Sequence, residues 1–165
     1  MTGTSAIMAS IFASGIACAA PIAALAALAA AQPGTAEMAG PRDVASLLVT
    51  ITGLKSTKGV VKLAICPAGS DFPDCKERAV RTASLKIAGG AAHGRFSDLP
   101  AGIYAISVFH DANANGRLDT FLGIPREGYG FSRNPPFHAR APRFSETEMT
   151  VNGATETTIA MRYLL

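Results

Sequence analysis

From Ala45 onward, apolar and polar residues alternate with a period of two, the pattern of strands with one buried and one solvated face. In "SLLVTITGL", Leu47, Val49 and Ile51 alternate with Leu48, Thr50 and Thr52. "GVVKLAIC" sets Val61, Leu63 and Ile65 against Lys62 and Ala64, and "VRTASLKI" sets Ala83, Leu85 and Ile87 against Thr82, Ser84 and Lys86. "HGRFSDL" is shorter and weaker, whereas "GIYAISVFH" places Tyr104, Ile106 and Val108 on one face. "TEMTV" and "ATETTIAMRYL" close the chain, with Ile159, Met161 and Tyr163 alternating with Thr158, Ala160 and Arg162. These runs predict about seven strands, rich in β-branched residues and bounded by Gly, Pro or Asn. Asn152-Gly153 between the last two predicts a two-residue hairpin.

The expected fold is all-β: an antiparallel β-sandwich of immunoglobulin-like or transthyretin-like type over residues 45–165. No segment of this region has sustained helical spacing. One stretch, about 111–145, resists the pattern and is expected to be a long inserted loop. Its density of Gly, Pro and aromatic residues points to an ordered, functional loop.

The N-terminal part is of another kind. No charged residue precedes Glu37, and alanine dominates from Ala17 to Ala31. This predicts a secretory signal peptide over residues 1–31, cleaved after Ala31 at "AALAAAQPG", followed by a flexible tether over 32–44. Against it, the first fifteen residues carry no Lys or Arg, and Ile7 to Ala31 is long enough to cross a bilayer as a retained anchor. A lipoprotein would acylate Cys18, but Gly15 stands where a leucine-like residue belongs. The chain is thus expected in the periplasm or outside the cell, with no stable membrane insertion after cleavage.

Cysteine usage fits export. Without the leader, Cys66 and Cys75 remain in "ICPAGSDFPDC", with no neighbouring His to suggest a metal. A disulfide is expected; closing a loop of about ten residues contributes roughly 2.7 kcal/mol in the chain-entropy model. The net charge of +3 is spread thinly and excludes a nucleic-acid footprint.

The densest chemistry lies in "HDANANGRLDTFLGIPREGYGFS". Asp111, Asn113 and Asn115 offer oxygens at alternate positions, Gly116 lets the chain bend, Arg117 has a carbonyl to offer, and Asp119 stands at the ninth place. That is the spacing of a calcium loop, although Leu122 replaces the bidentate glutamate of an EF-hand and no helices flank it. Glu127 would then fold back to complete the shell. The competing reading is a chain of Asx-turns held by its own hydrogen bonds. Gly128-Tyr129-Gly130 lacks the third glycine of a dinucleotide fingerprint, and Ser132 in "GFSRN" lacks the second glycine of a nucleophile elbow.

The run "LPAGIYAISVFHDANANGRLDTFLGIPREGYGFSRN", continued by "RAPRF", resembles an exported bacterial family catalogued as domain of unknown function 2141. The resemblance covers roughly Leu47 to Tyr163 and rests on Leu99, Pro100, Gly102, Tyr104, His110, Asp111, Asn113, Asn115, Gly116, Asp119, Gly123, Pro125, Glu127, Gly128, Gly130, Phe131 and Ser132. It implies a prealbumin-like β-sandwich and no assigned activity. The cysteine pair and the arginines after Phe131 are not part of it.

Two functions compete. In the first, the chain is a binding or structural module of the cell envelope or exterior, its loop organised by calcium or by itself. In the second, it is a hydrolase-like enzyme using His110, Asp111 and Glu127. The enzyme requires those three side chains to converge on a cleft lined by Tyr129 and Phe131.

Overall fold

The computed structural model describes residues 43–75 and 77–165. The expected leader, its cleavage site, Cys18 and nearly all of the tether lie outside them. Twelve elements follow in order: β1 Val44–Thr52, β2 Val60–Pro67, β3 Arg81–Leu85, β4 Ile87–Ala88, β5 Ala91–Pro100, β6 Gly102–Asp111, β7 Thr120–Phe121, β8 Ile124–Pro125, β9 Tyr129–Phe131, α1 Phe144–Thr147, β10 Met149–Val151 and β11 Ala154–Ala160. One sheet has the order β11-β1-β5-β4, the other β10-β6-β2-β3 with β9 added to β6, and β7 pairs only with β8. The two larger sheets contribute to a single hydrophobic cluster, built on Leu47, Val49, Ile51, Val61, Leu63, Ile65, Ile106, Val108, Val151 and Ile159.

The period-two pattern locates all seven expected strands, and four departures show what it misses. "VRTASLKI" is not one strand: it pairs with β2 as far as Leu85 and joins β5 from Ile87, so the chain changes sheets at Lys86. The weak run "HGRFSDL" belongs to β5, which has ten residues. Its alternation looks broken because Ser97 and Asp98 together oppose Ser46 of β1 in a bulge, with Asp98 at φ 57. That extra residue returns Leu99, fully buried, to the core face.

The third departure is direction. β11 runs parallel to β1, from Ser46 opposite Ala154 to Thr52 opposite Ala160, so the sheets are not wholly antiparallel. Asn152-Gly153 closes no hairpin: β10 pairs with β6, and β11 lies in the other sheet. Val151 and Ile159 are both fully buried in the shared core, and the turn carries the chain between the sheets that supply it. The Ser46 N–H donates to the Gly153 carbonyl (2.7 Å), which sets the parallel register. β11 also ends at Ala160, so Tyr163 is not a strand residue.

The fourth concerns 111–145, which is not one inserted loop. It holds the β7–β8 hairpin, the single helical turn α1, and β9, which lies antiparallel to Ser107–Phe109 of β6. Glycine makes β9 fit. A Cβ on Gly130 would stand 2.7 Å from Ile159 Cγ2, and one on Gly128 would run into the Tyr163 ring. β9 and β10 follow one another along the same edge of β6, and Ser132 joins them. Its N–H donates to the Ile106 carbonyl (3.0 Å), its Oγ accepts from the Ile106 N–H (2.9 Å), and its hydroxyl donates to the Thr147 carbonyl (2.6 Å). Ser132 is a fully buried splice, with no hydroxyl to spare for attack.

Candidate functional site

Asp111 ends β6 with its side chain fully buried. Its Oδ1 accepts the Asn115 N–H and its Oδ2 the Gly116 N–H, each at 2.9 Å. Asn113 Oδ1 accepts the Asn115 N–H (3.1 Å), and Asn115 Oδ1 accepts the Arg117 N–H (2.9 Å). The amide groups of Asn113 and Asn115 donate to the two oxygens of Asp119, at 2.7 and 2.9 Å. Those amides, Asn115 first, hold the Asp119 carboxyl below its ordinary range, with help from Arg117 and Arg126. Glu127 does fold back, but onto backbone: its oxygens accept the N–H groups of Ala112 (2.9 Å) and Asp119 (3.0 Å).

The side chains expected around calcium therefore converge, and they converge on one another. Each turn is closed by an Asx-type bond and the loop ends are clasped by Glu127. Among the described residues, no three His, Cys, Asp or Glu side chains form a metal-ligand group.

His110 is 2% exposed and both ring nitrogens are engaged. Nε2 lies 2.8 Å from the Lys58 carbonyl, which can only accept, so this nitrogen carries a proton; Nδ1 lies 2.9 Å from the Tyr163 hydroxyl. That hydroxyl also accepts the Lys55 N–H (3.1 Å), and the Lys55 ammonium sits 4.7 Å over the Tyr163 ring. The chain between β1 and β2 is thus tied to the C-terminal segment through His110. Tyr163 gave no sequence signal beyond its place in an apparent strand.

A cleft lined by Tyr129 and Phe131 exists, but His110, Asp111 and Glu127 do not line it. It is a groove of about 680 Å³ on the outer face of the sheet formed by β3, β2, β6 and β9. Two rows of paired residues make its surface. Ser84, Lys62, Phe109 and Tyr129 form one; Thr82, Ala64, Ser107 and Phe131 form the next. Small side chains at Ala64 and Ser107 hollow the floor between flanking strands. Lys62 donates to the Ser84 hydroxyl (2.9 Å), and the rings of Tyr129 and Phe131 lie 5.8 Å apart.

The groove has two walls, both legible in part from sequence. One is the loop between β2 and β3, closed by the Cys66–Cys75 disulfide with the Cα atoms 5.8 Å apart. The Ser107 hydroxyl holds the Pro73 carbonyl at 3.1 Å, and Phe72 meets Phe131 edge-on at 5.7 Å. The other is Gly116, Arg117 and Leu118, at the end of the Asp/Asn loop. Lys62 and Ala64 appeared in the sequence only as the solvated half of an alternation and Phe109 carried no signal of its own; their grouping depends on strand register.

Among the described residues no helix is long and apolar enough to cross a membrane. No curated protein and no solved structure matches the chain. A family model does match, over residues 49–160, and this span holds the loop, Glu127, β9 and Ser132. The chain belongs to the bacterial family described as uncharacterized protein conserved in bacteria (DUF2141).

Proposed function

We propose that this protein is an exported β-sandwich module that binds a small ligand in the groove between the disulfide loop and the Asp/Asn loop. The observation that carries this reading is the groove itself: three half-buried aromatic rings and a lysine on a sheet face that would otherwise be plain solvated surface. Its volume lies within the range of small-molecule sites. The chemistry favours a flat or apolar body carrying a negative group. Phe109, Tyr129 and Phe131 supply faces and edges for the body, while Lys62 and Arg117, against Asp74, leave one net positive charge at the groove. The Asp/Asn loop, on this reading, is a scaffold that holds Arg117 and Leu118 in place by its own hydrogen bonds.

The hydrolase reading has little support from this geometry. His110, Asp111 and Glu127 spend their polar atoms on the structure around them, and none reaches the groove. Anilinonaphthalene sulfonate, an aromatic anion, is a suitable probe. We expect its fluorescence to rise with the folded protein and to fall several-fold in Ala64→Phe, which fills the floor, and in Tyr129→Ala. Enhancement unchanged in Ala64→Phe would remove the groove as the site.

A further inference from the structure

The row Ser84, Lys62, Phe109 and Tyr129 has a fifth member. Tyr129 forms an antiparallel bridge with Arg162, the N–H of each donating to the carbonyl of the other at 2.9 and 2.8 Å. Residues opposed in this way turn their side chains to the same face, so Arg162 stands next to Tyr129 on the outer face of the sheet. There it lines a second concavity, of about 220 Å³, walled by Pro135, Phe137, Pro142 and Leu164. Leu118, Tyr129 and Phe131 line both hollows, which makes the two rings a shared ridge rather than the end of the groove.

Charge is unevenly placed along this row. At one end Lys62 shares the groove with Asp74. Asp119 and Glu127, on the hairpin side, offset Arg117 and Arg126, and Glu146 holds Arg140 in an ion pair at 2.8 Å. The charge left over is that of Arg162. No Asp or Glu among the described residues lines its concavity. The half-buried guanidinium gives one N–H group to the Pro135 carbonyl at 3.1 Å, and its remaining donors have no partner among the described residues. A planar, permanently charged fork set among prolines and aromatic rings suits a carboxylate, which it can meet with two parallel bonds.

We infer that Arg162 receives the anionic group of the groove's ligand, an elongated apolar monoanion that lies across the strands over Tyr129 and Phe109. The inference rests on the groove being a ligand site, and it names the ligand's shape and the residue that selects its charge. Strand spacing sets the length: Phe109 lies two strands from Arg162, about 10 Å away, and Lys62 three, about 14 Å. Two linked rings bearing one carboxylate span the first distance, and a single ring does not.

The test is calorimetric titration of the full chain with para-phenylbenzoate, its uncharged analogue para-phenylbenzamide, and benzoate. We expect the wild type to bind phenylbenzoate at least tenfold more tightly than either of the others. Arg162→Gln should erase the preference over the amide by weakening the carboxylate alone, because a merely structural arginine would weaken both. Lys62→Gln should cost phenylbenzoate no more than about threefold. In the unmutated protein, whatever the variants do, phenylbenzoate should shift the Arg162 Nε–H resonance and phenylbenzamide should not. The inference is overturned if Arg162→Gln weakens both biphenyls alike, if benzoate binds as tightly as phenylbenzoate, or if the resonance stays in place. A carboxylate preference that survives Arg162→Gln and is lost in Lys62→Gln would overturn it too, moving the anion to Lys62 and leaving the groove as the site. Absence of phenylbenzoate binding beside naphthalene sulfonate fluorescence that still falls in Ala64→Phe would remove this inference alone. Fluorescence indifferent to Ala64→Phe would remove the groove with it.

Discussion

The Asp111–Asp119 loop and the hairpin that follows it are adjacent in sequence and opposite in design. In the loop, the carboxylates and carboxamides are consumed internally, and even Ala114, at φ 58, sits in a conformation that the surrounding bonds enforce. In the hairpin, Phe121, Leu122 and Ile124 are presented outward and Leu122 carries an unfavourable backbone conformation. The first region spends its chemistry on its own order. The second leaves apolar side chains exposed on a locally unfavourable turn. Polar density in this sequence thus marks hydrogen bonds closed within the loop, and the less conspicuous apolar residues beside it, Phe121, Leu122 and Ile124, are the exposed ones.

The comparison is broken most severely where the loop begins. Gly59, at φ 70, lies against the backbone of Asp111 and Ala112, and a Cβ there would stand 2.7 Å from the Ala112 Cα. Gly59→Ala adds a backbone clash to a left-handed alanine, so a loss of about 3 kcal/mol or more is expected in denaturant unfolding. A loss below about 1 kcal/mol would show that the loop start yields easily.

Asp111→Ala comes next. It strips two backbone N–H groups of their acceptor inside a buried site, and about 2–3 kcal/mol should be lost. If the loop were a loosely held insertion, the variant would unfold at the wild-type midpoint.

The hairpin should respond in the other direction. Leu122→Gly relieves the left-handed leucine at the cost of a more flexible unfolded chain, for a net gain of about 0.5 kcal/mol. A clear loss on thermal unfolding would mean that Leu122 packs within the protein after all, and the contrast between the two regions would disappear.

The smallest expected effect is calcium's. With Asp119 bonded to both asparagine amides and Asp111 to two backbone N–H groups, millimolar calcium should leave the unfolding midpoint where chelator leaves it. A bound ion would require the carboxamides to turn their oxygens inward. At ten times its dissociation constant it would then stabilise the native state by about 1.4 kcal/mol. A gain of that size, removed by Asp119→Ala, would replace the hydrogen-bonded scaffold by a metal site.

What the sequence determined by itself is the local physics. Alternation at Leu47, Val49 and Ile51, or at Val61, Leu63 and Ile65, names a buried face whichever strand lies alongside, because side-chain direction in an extended chain depends only on position. The Cys66–Cys75 pair and the convergence of Asp111, Asn113, Asn115 and Asp119 were legible for the same reason, since both are matters of short-range closure. What only the tertiary structure decided is which distant segments become neighbours. β11 lies parallel to β1 rather than hairpinned to β10, and Tyr129-Gly130-Phe131 extends the sheet at β6. His110 is enclosed by Tyr163 and Lys58, and Lys62, Ala64, Ser107 and Phe131 are brought together into a groove. Each of these depends on strand register and on which sheet a turn feeds; the placing of β10 and β11, for one, buries Val151 and Ile159 in a single core, a condition no short window of sequence contains.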